Sequence, residues 1–131
     1  MSEAVYRDFD ADALYAQYNN RAMTPADVLA DIKADQATRS EVFNAAATRA
    51  QFDISYGPHP RERLDLFLPD AENPPLFVYI HGGYWQWNDK EDYSFFGQPL
   101  HAGGLNLAFV EHTLAPGESM DGIVAEIRAG L

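Results

Sequence analysis

Hydrophobic residues follow two different spacings along the chain, and the change comes near residue 50. In residues 1–50 they recur at helical intervals, which predicts one helix over about Ala11–Asn19 and another over about Thr38–Arg49. Between these two, Thr24-Pro25 is typical of a helix start, with an N-cap followed by a proline in the first turn, and the helix continues through Ile32. Because the apolar stripes are modest, we expect residues 1–50 to be a helical arm that lies over another surface.

From residue 51 the apolar positions alternate or run together, which is typical of strands. Gln51–Tyr56 alternates, with Phe52, Ile54 and Tyr56 expected on one side, and the leucines of Leu64–Leu68 alternate in the same way. The polar loop Gly57–Glu62 between these runs predicts an antiparallel hairpin. Leu76–Ile80 is continuously apolar, and this pattern predicts a strand buried on both faces.

Helices and strands alternate through the rest of the sequence. Tyr93–His101 is expected to be a helix, Leu105–Val110 a further buried strand, and Ser119 is placed to cap a last helix that contains Ile123, Val124 and Ile127. Strands separated by crossover helices pair in parallel. The sequence therefore predicts an α/β fold, with residues 51–131 forming a β-hairpin followed by parallel strands with crossover helices.

Charge and composition narrow the possible partners. The chain of 131 residues carries 20 acidic and 9 basic side chains, a formal net charge of −11. An acidic surface repels phosphate backbones and anionic lipid, so we expect neither a nucleic acid nor a membrane as partner. The chain has no cysteine, which excludes disulfides, thiolate zinc sites and a cysteine nucleophile from this sequence.

Segments that direct a protein to a membrane or out of the cell have characteristic patterns. The first ten residues show neither the basic start nor the apolar stretch of a secretory signal. The longest apolar run, Pro74–Ile80, is far too short to cross a bilayer. We therefore expect a soluble, cytoplasmic protein.

The segment with the clearest chemistry directly follows the apolar run that ends at Ile80. It reads His81-Gly82-Gly83-Tyr84-Trp85-Gln86. Two glycines let the backbone turn sharply and let main-chain N–H groups face an open space, where they can donate to an oxyanion. Tyr84 and Trp85, with Trp87 close by, place aromatic rings beside that space. The plainer interpretation of the same residues is a turn at a strand end with packed aromatic side chains.

This motif and several other segments resemble the α/β-hydrolases, whose His-Gly-Gly motif lies between the third strand and the first helix. The resemblance is greatest to the kynurenine formamidase (arylformamidase) and esterase/lipase-like group, with its His-Gly-Gly-x-Trp motif. It covers nearly the whole chain. The further matching segments are Tyr18–Arg21, Tyr56-Gly57 with Arg63–Phe67, Thr113–Pro116 and Ile123–Ile127.

The resemblance implies roles for particular residues. It places the oxyanion hole on the backbone N–H groups of Gly83 and Tyr84, and it places Gly82, Tyr84 and Trp85 at the substrate. His81 would then brace the loop. His112 stands where relatives tend to have an aromatic residue such as Tyr, and we interpret it as a packing variation. The resemblance implies no cofactor and no metal.

The nucleophile of such a hydrolase is missing from this sequence. It is a serine in Gly-x-Ser-x-Gly on a sharp strand-to-helix turn, followed later by the acid and the histidine. Gly117–Gly122 contains a serine with glycines nearby, but the second glycine comes one place late and no strand directly precedes it. We expect this segment to be a loop and helix cap. The serines of the chain are Ser2, Ser40, Ser55, Ser94 and Ser119.

The resemblance therefore implies the first half of an α/β-hydrolase core with an incomplete sheet, in which the half that bears the nucleophile is absent. The family fold flanks its third strand on both sides, so Leu76–Ile80 would expose an unpaired apolar edge. We expect the isolated chain to be poorly stable, and to be a truncated product or to pair with a complementary C-terminal half or second chain.

Two functions remain open at this point. The first is a part in a serine hydrolase for a small carboxylic ester or N-formyl amide. The alternative is a non-catalytic fragment or interaction module of the same fold. Metal and nucleotide sites have no support, because the histidines lack paired helical spacing and no glycine-rich phosphate loop is present.

Overall fold

The computed structural model describes residues 4–131, so Ser2 lies outside the described residues. The chain divides into two compact units, Met1–Ala34 and Asp35–Leu131. The second unit contains the whole sheet and all the residues to which the sequence assigned a chemical role. Among the described residues, no helix combines the length and the hydropathy that a membrane span requires.

The first unit is built from short helices. Helix α1 spans Ala11–Tyr18, and its first turn is capped by Asp10, whose Oδ1 accepts from Ala13 N at 2.8 Å. Helix α2 spans Asn20–Met23 and is capped by Asn19. Neither helix buries a residue. The predicted helix over Ala11–Asn19 is therefore present, and its N-cap is an acidic side chain that suits the positive helix start.

Helix α3 is longer than the sequence predicted. It runs without a break over Ala26–Ala46, whereas two separate helices were expected, one through Ile32 and one from about Thr38. The residues between those points include no proline and no glycine, so nothing in them interrupts the ladder of backbone hydrogen bonds. The helix begins at Ala26, one residue after the predicted first position Pro25, and the hydroxyl of Thr24, the expected N-cap, donates to the Asn20 carbonyl instead.

A four-stranded mixed sheet forms the centre of the second unit. Its strands, in the order β1-β2-β4-β3, are β1 over Ala50–Ser55, β2 over Arg63–Phe67, β3 over Leu76–Ile80 and β4 over Asn106–Val110. Strand β2 pairs antiparallel with both β1 and β4, while β3 and β4 are parallel. The predicted hairpin and the predicted α/β class are both confirmed.

Strand β3 lies at an edge of this sheet. Leu76 is 56% exposed and Ile80 is 40% exposed, so the expectation from its apolar pattern, burial on both faces, was wrong. Strand β3 has only β4 beside it, so its other edge is open and the side chains next to that edge meet solvent. The expectation drawn from the family resemblance, an exposed apolar edge at Leu76–Ile80, is confirmed.

The connection from β3 to β4 is mostly irregular. It contains two 3-10 turns, Lys90–Asp92 and Ser94–Phe96, and then the short helix α4 over Gly97–Ala102. The single helix predicted over Tyr93–His101 does not form. Pro99 has no N–H to donate back to the Phe95 carbonyl, so an α-helix cannot extend through Pro99 from Tyr93 without losing a bond.

The core lies where α3 and the crossover meet one face of the sheet. Phe43 of α3, Phe67 of β2 and Leu107 and Phe109 of β4 form the buried cluster. The rings of Phe43 and Phe67 stack with centroids 4.8 Å apart. Gly97 sits directly above this cluster, because a Cβ there would lie 2.9 Å from Leu107 Cδ1. The absence of a side chain at Gly97 thus lets α4 pack closely on β4.

Two further features bear on the site. A β-bulge interrupts β1 between Gln51 and Ile54, where Asp53 adopts a φ of 54°. This bulge breaks the simple alternation expected for Phe52, Ile54 and Tyr56.

After β4, helix α5 spans Met120–Gly130, and the hydroxyl of Ser119 accepts from Gly122 N at 3.0 Å, as the sequence predicted.

Candidate functional site

The glycine-rich loop begins where β3 ends, at the edge of the sheet. Gly83 has a φ of 129°, and a Cβ built on it would lie 2.1 Å from the carbonyl oxygen of Trp87. Only glycine fits this position without moving the backbone. Tyr84, Trp85 and Asn88 follow in the left-handed region, with φ of 54°, 58° and 77°. Such conformations are uncommon for residues with side chains and frequently occur at functional sites.

The hydrogen bonds inside this loop do not use the N–H groups of Gly83 and Tyr84. The carbonyl of Gly83 accepts from Gln86 N at 3.0 Å and from Trp87 N at 3.1 Å, which closes a tight turn. Within residues 4–131, neither Gly83 N–H nor Tyr84 N–H has a protein acceptor. The two donors named from the sequence are therefore adjacent and open.

His81 is buried at the start of the loop. Its Nε2 lies 2.7 Å from Glu111 Oε1, its Nδ1 lies 2.9 Å from the Gly82 carbonyl oxygen, and its ring stacks on His112 at a centroid distance of 4.3 Å. Burial alone would lower the pKa of His81, but the bonds to Glu111 and Gly82 outweigh it and raise that pKa above its ordinary 6.5. His81 therefore connects the loop to the end of β4, and His112 packs against it.

Glu111, which directly follows β4, is the residue that the sequence did not single out. Its side chain is buried, and its Oε1 accepts from Arg61 Nη2 at 2.6 Å and from His112 N at 2.9 Å, in addition to its contact with His81. Its Oε2 accepts from Lys90 N at 3.0 Å. Burial raises the pKa of Glu111, but the hydrogen bonds from His81, His112 N and Lys90 N outweigh burial and lower it, so the carboxylate is ionised.

Lys90 forms a second group of charges beside the first, in which Lys90 and Asp65 are buried while Asp53 and Glu91 are about half exposed. Its Nζ lies 3.0 Å from Asp53 Oδ1, 2.9 Å from Asp65 Oδ2 and 2.7 Å from Glu91 Oε1. Burial would lower the pKa of Lys90, yet the three carboxylates raise it, so the ammonium stays charged. The β1 bulge at Asp53 brings one of these carboxylates to the group. In the sequence, Lys90 stands in a polar run with the appearance of an exposed loop.

The aromatic side chains of the loop are exposed. Tyr84, Trp85 and Trp87 form a contiguous group, with the Tyr84 ring 5.7 Å from that of Trp85 and 6.3 Å from that of Trp87. Trp85 O accepts from Ala115 N at 2.7 Å, which joins the loop to the segment after β4. The structure thus brings the candidate substrate-binding residues together on the surface, beside the open N–H groups.

A separate cleft lies beside the hairpin loop. It has a volume of about 490 Å³ and is lined by Pro58, His59, Arg61, Glu62, Thr113, Leu114, Gly117, Glu118 and Glu126. None of Gly82, Gly83, Tyr84 and Trp85 lines it. The residues named from the sequence therefore do not belong to this cleft.

No serine in residues 4–131 is bonded to a histidine. Ser119 caps α5, Ser40 Oγ accepts from Phe95 N at 3.0 Å, and Ser55 donates to the Gly57 carbonyl at 2.9 Å. The Ser94 hydroxyl is buried without a partner. In the same part of the chain, no set of three or more His, Asp or Glu side chains is placed to hold a metal ion.

The sequence of the chain is similar to those of proteins named kynurenine formamidase. The chain is 30% identical to kynurenine formamidase of Danio rerio over 94% of its length, and 31% identical to that of Salmo salar over 94%. It spans 44% of the length of each of these relatives. No protein-family profile matches the chain.

Solved structures give the same result for the fold. A provisionally assigned thioesterase from Silicibacter sp. superposes with a TM-score of 0.70 and is 33% identical, over 76% of this chain and 38% of its own. Esterase B of Lactobacillus rhamnosis shares the fold, with a TM-score of 0.56 and 22% identity over 77% of this chain and 36% of its own. Sequence and fold together support a partial chain of the α/β-hydrolase fold that is similar to kynurenine formamidases and esterases.

Proposed function

We propose that this chain supplies the oxyanion-binding part of a serine hydrolase that acts on a small carboxylic ester or an N-formyl amide. The observation that carries the proposal is the pair of open N–H groups on Gly83 and Tyr84, in a loop that only a glycine at 83 permits. The relatives named kynurenine formamidase and esterase support both substrate classes. No cofactor takes part in this chemistry.

In this mechanism a serine hydroxyl attacks the carbonyl carbon of the substrate while a histidine takes its proton. The carbonyl oxygen becomes an oxyanion as the tetrahedral intermediate forms. Gly83 N–H and Tyr84 N–H donate to that oxyanion, and each such donor contributes about 3–4 kcal/mol to the transition state. The exposed rings of Tyr84 and Trp85 contact an apolar or aromatic part of the substrate. As the intermediate collapses, the histidine gives its proton to the leaving oxygen or nitrogen, so the alcohol or amine departs and an acyl-serine remains for water to hydrolyse.

The serine, its histidine and its acid are supplied by polypeptide outside these 131 residues, on a continuation of the chain or on a second chain. The edge of β3 is the place where that polypeptide docks. It offers unpaired backbone groups and the exposed side chains of Leu76 and Ile80, next to the glycine-rich loop. An added strand there would bring its own carboxyl-terminal turn close to Gly83 if it ran parallel to β3.

Joining this chain to a known second half tests the proposal. Residues 1–131 are fused to the part of the Danio rerio kynurenine formamidase that follows the matched region. Hydrolysis of p-nitrophenyl acetate and of formanilide is measured with and without a serine-directed phosphonate. We expect turnover of at least one of these substrates, and we expect the phosphonate to abolish it.

Two glycine variants of the fusion isolate the role of the loop. Gly83→Ala forces the loop away from Trp87 and is expected to lower kcat about 10²-fold or more. Gly104→Ala is the matched control, because a Cβ there meets nothing within 4 Å and the residue lies outside the loop. A fusion that folds and reacts with the phosphonate, but loses no more activity with Gly83→Ala than with Gly104→Ala, contradicts the proposal. If the fusion does not fold, the two halves are co-expressed as separate chains and assayed alike.

A further inference from the structure

The two open donors of the loop are fixed in different ways. A trans peptide points its carbonyl and the following N–H in opposite directions, so whatever holds the carbonyl also aims the N–H. The only cis peptide among the described residues is Ala115-Pro116, so this rule applies to both peptides of the loop. The direction of Gly83 N–H is therefore set at the Gly82 carbonyl, and that of Tyr84 N–H at the Gly83 carbonyl.

Backbone groups hold the second of these peptides. The Gly83 carbonyl accepts from Gln86 N and Trp87 N, both within the same turn. No side chain is needed for that arrangement. Tyr84 N–H should therefore keep its direction when side chains around the loop are changed.

Side chains hold the first peptide. The Gly82 carbonyl accepts from His81 Nδ1 at 2.9 Å and from Asn88 Nδ2 at 3.1 Å, which occupies both of its lone pairs. Asn88 Nδ2 also lies 2.8 Å from Tyr93 Oη, and this contact orients the amide. Asn88 itself has a φ of 77°, a conformation that Asn and Asp tolerate better than other residues with side chains.

His81 can donate to Gly82 only with the proton on Nδ1. Its other nitrogen, Nε2, faces the ionised carboxylate of Glu111, which can only accept. Both ring nitrogens therefore carry a proton, and the ring is an imidazolium. Arg61 Nη2 and His112 N donate to the same Glu111 oxygen as His81, Oε1, and Lys90 N donates to Oε2.

We infer that Asn88 and the His81–Glu111 pair are positioning residues that aim the N–H of Gly83 by holding the Gly82 carbonyl, whereas the N–H of Tyr84 is aimed by the backbone alone. The inference deepens the function proposed above and rests on it only where turnover is measured. It assigns no direct contact with substrate to Asn88, His81 or Glu111.

The direct test is an NMR comparison of the 131-residue chain labelled with ¹³C and ¹⁵N. Asn places its amide nitrogen near the position of a histidine Nδ1, and Gln places it near the position of Nε2. His81→Asn thus keeps the donor to Gly82 and loses the one to Glu111, while His81→Gln does the reverse. Asn88→Asp removes the second donor to Gly82 with little change of size.

We expect His81→Gln and Asn88→Asp to shift the Gly82 carbonyl and Gly83 amide resonances, and to leave the Tyr84 amide nearly unmoved. His81→Asn should shift the Gly82 and Gly83 resonances less than His81→Gln does. Equal spectra for the two His81 variants, or a Tyr84 amide that moves as far as the Gly83 amide, would overturn the inference. If Asn88→Asp does not fold, the two His81 variants decide the result. Asn88→Gly then takes the place of Asn88→Asp, because glycine accepts the same φ.

Turnover in the active fusion gives an independent measurement. Asn88→Asp is expected to lower kcat by about 10²-fold with little change in KM, because a misplaced donor weakens the transition state more than the ground state. A loss confined to KM contradicts the positioning role. If the unmodified fusion is inactive, the proposed hydrolase function fails, and the NMR comparison still tests the positioning of Gly83 N–H.

Discussion

Lys90 Nζ lies 2.9 Å from the carboxylate of Asp65, and both side chains are almost completely removed from water. Burial raises the pKa of Asp65, and the bonds from Asp53 N and Lys90 oppose that rise without reversing it. Lys90 belongs to the crossover after the glycine-rich loop, and Asp65 to the middle of β2. This ion pair therefore attaches the crossover to the hairpin.

The first prediction concerns that ion pair. Lys90→Met leaves the Asp65 carboxylate buried without its cation, and we expect the free energy of unfolding to fall by about 3–5 kcal/mol. The double variant Lys90→Met with Asp65→Asn should recover part of this loss, because the buried charge is gone and an acceptor for Asp53 N remains. Urea denaturation of the chain measures these differences.

The control for this prediction is an exposed ion pair on α3. Arg39 Nη1 lies 3.4 Å from Asp35 Oδ2, and both side chains are exposed. Asp35→Asn should change the free energy of unfolding by less than about 1 kcal/mol. If Lys90→Met costs no more than Asp35→Asn, the buried pair is not holding the crossover.

The second prediction separates crowding from backbone strain at two glycines of positive φ. Gly104→Ala meets open space at a φ of 86° and should cost about 1 kcal/mol of unfolding free energy from strain alone. Gly83→Ala adds a collision with the Trp87 carbonyl oxygen at 2.1 Å and should cost more than Gly104→Ala. Thermal or urea unfolding of both variants measures the difference. If both variants lose the same unfolding free energy, the loop moves away from the new Cβ at no cost, and the prediction is wrong.

The third prediction is a pH dependence that follows from His81 and Glu111. The folded-state pKa of His81 is raised above 6.5, so its stabilisation is complete below that pH and is lost as pH rises through the folded value. The folded-state pKa of Glu111 is lowered below 4.5, so its stabilisation is present above that pH and is lost as pH falls through the folded value. The pair should stabilise the fold most between pH 4.5 and 6.5.

Comparison with His81→Asn isolates this effect from the other titrating groups. We expect the difference in unfolding free energy between the two proteins to be largest between pH 4.5 and 6.5. It should shrink at higher pH, as the imidazolium of the unmodified protein loses its proton. A difference that stays constant from acidic to alkaline pH would contradict the charged state assigned to His81.

The fourth prediction concerns the open edge of β3. Exposed apolar strand edges pair with other chains, and a lysine on such an edge prevents pairing. The chain should therefore associate as its concentration rises, and Leu76→Lys should reduce this association. Val42→Lys on α3 is the matched control, because Val42 is also an exposed apolar residue but lies on a helix. Sedimentation velocity over a range of concentrations measures the association of the unmodified chain and of both variants. An unmodified chain that stays at 14.6 kDa at every concentration disproves the prediction.

The strands were predictable from the sequence to within about one residue, because alternation and the turn residues between the runs both act locally. Leu76–Ile80 shows the limit of this reasoning. Its composition is that of a central strand, and its exposure depends on which strands lie beside it. Local pattern likewise could not divide 90–102 into turns and a short helix, since tertiary packing decides how far a short helix extends.

The site was predictable only in part. The glycine-rich loop is contiguous in sequence, so open main-chain N–H groups could be expected from its residues, and the family resemblance assigned them to Gly83 and Tyr84. Glu111, Arg61 and Lys90 could not, because charged residues are usually exposed and these three come from distant parts of the chain. Lys90 and Glu111 become buried, and Arg61 partly buried, only when the fold supplies partners of the opposite charge.

The strand order has a consequence for how the polypeptide acquires this structure during synthesis. The hairpin of β1 and β2 can form as soon as it leaves the ribosome, but the second edge of β2 finds its partner only when Asn106–Val110 has been made. Until then the nascent chain exposes Phe67 and the rest of that edge to solvent. Contacts between residues far apart in sequence form slowly, so this interval is when a chaperone would bind most usefully.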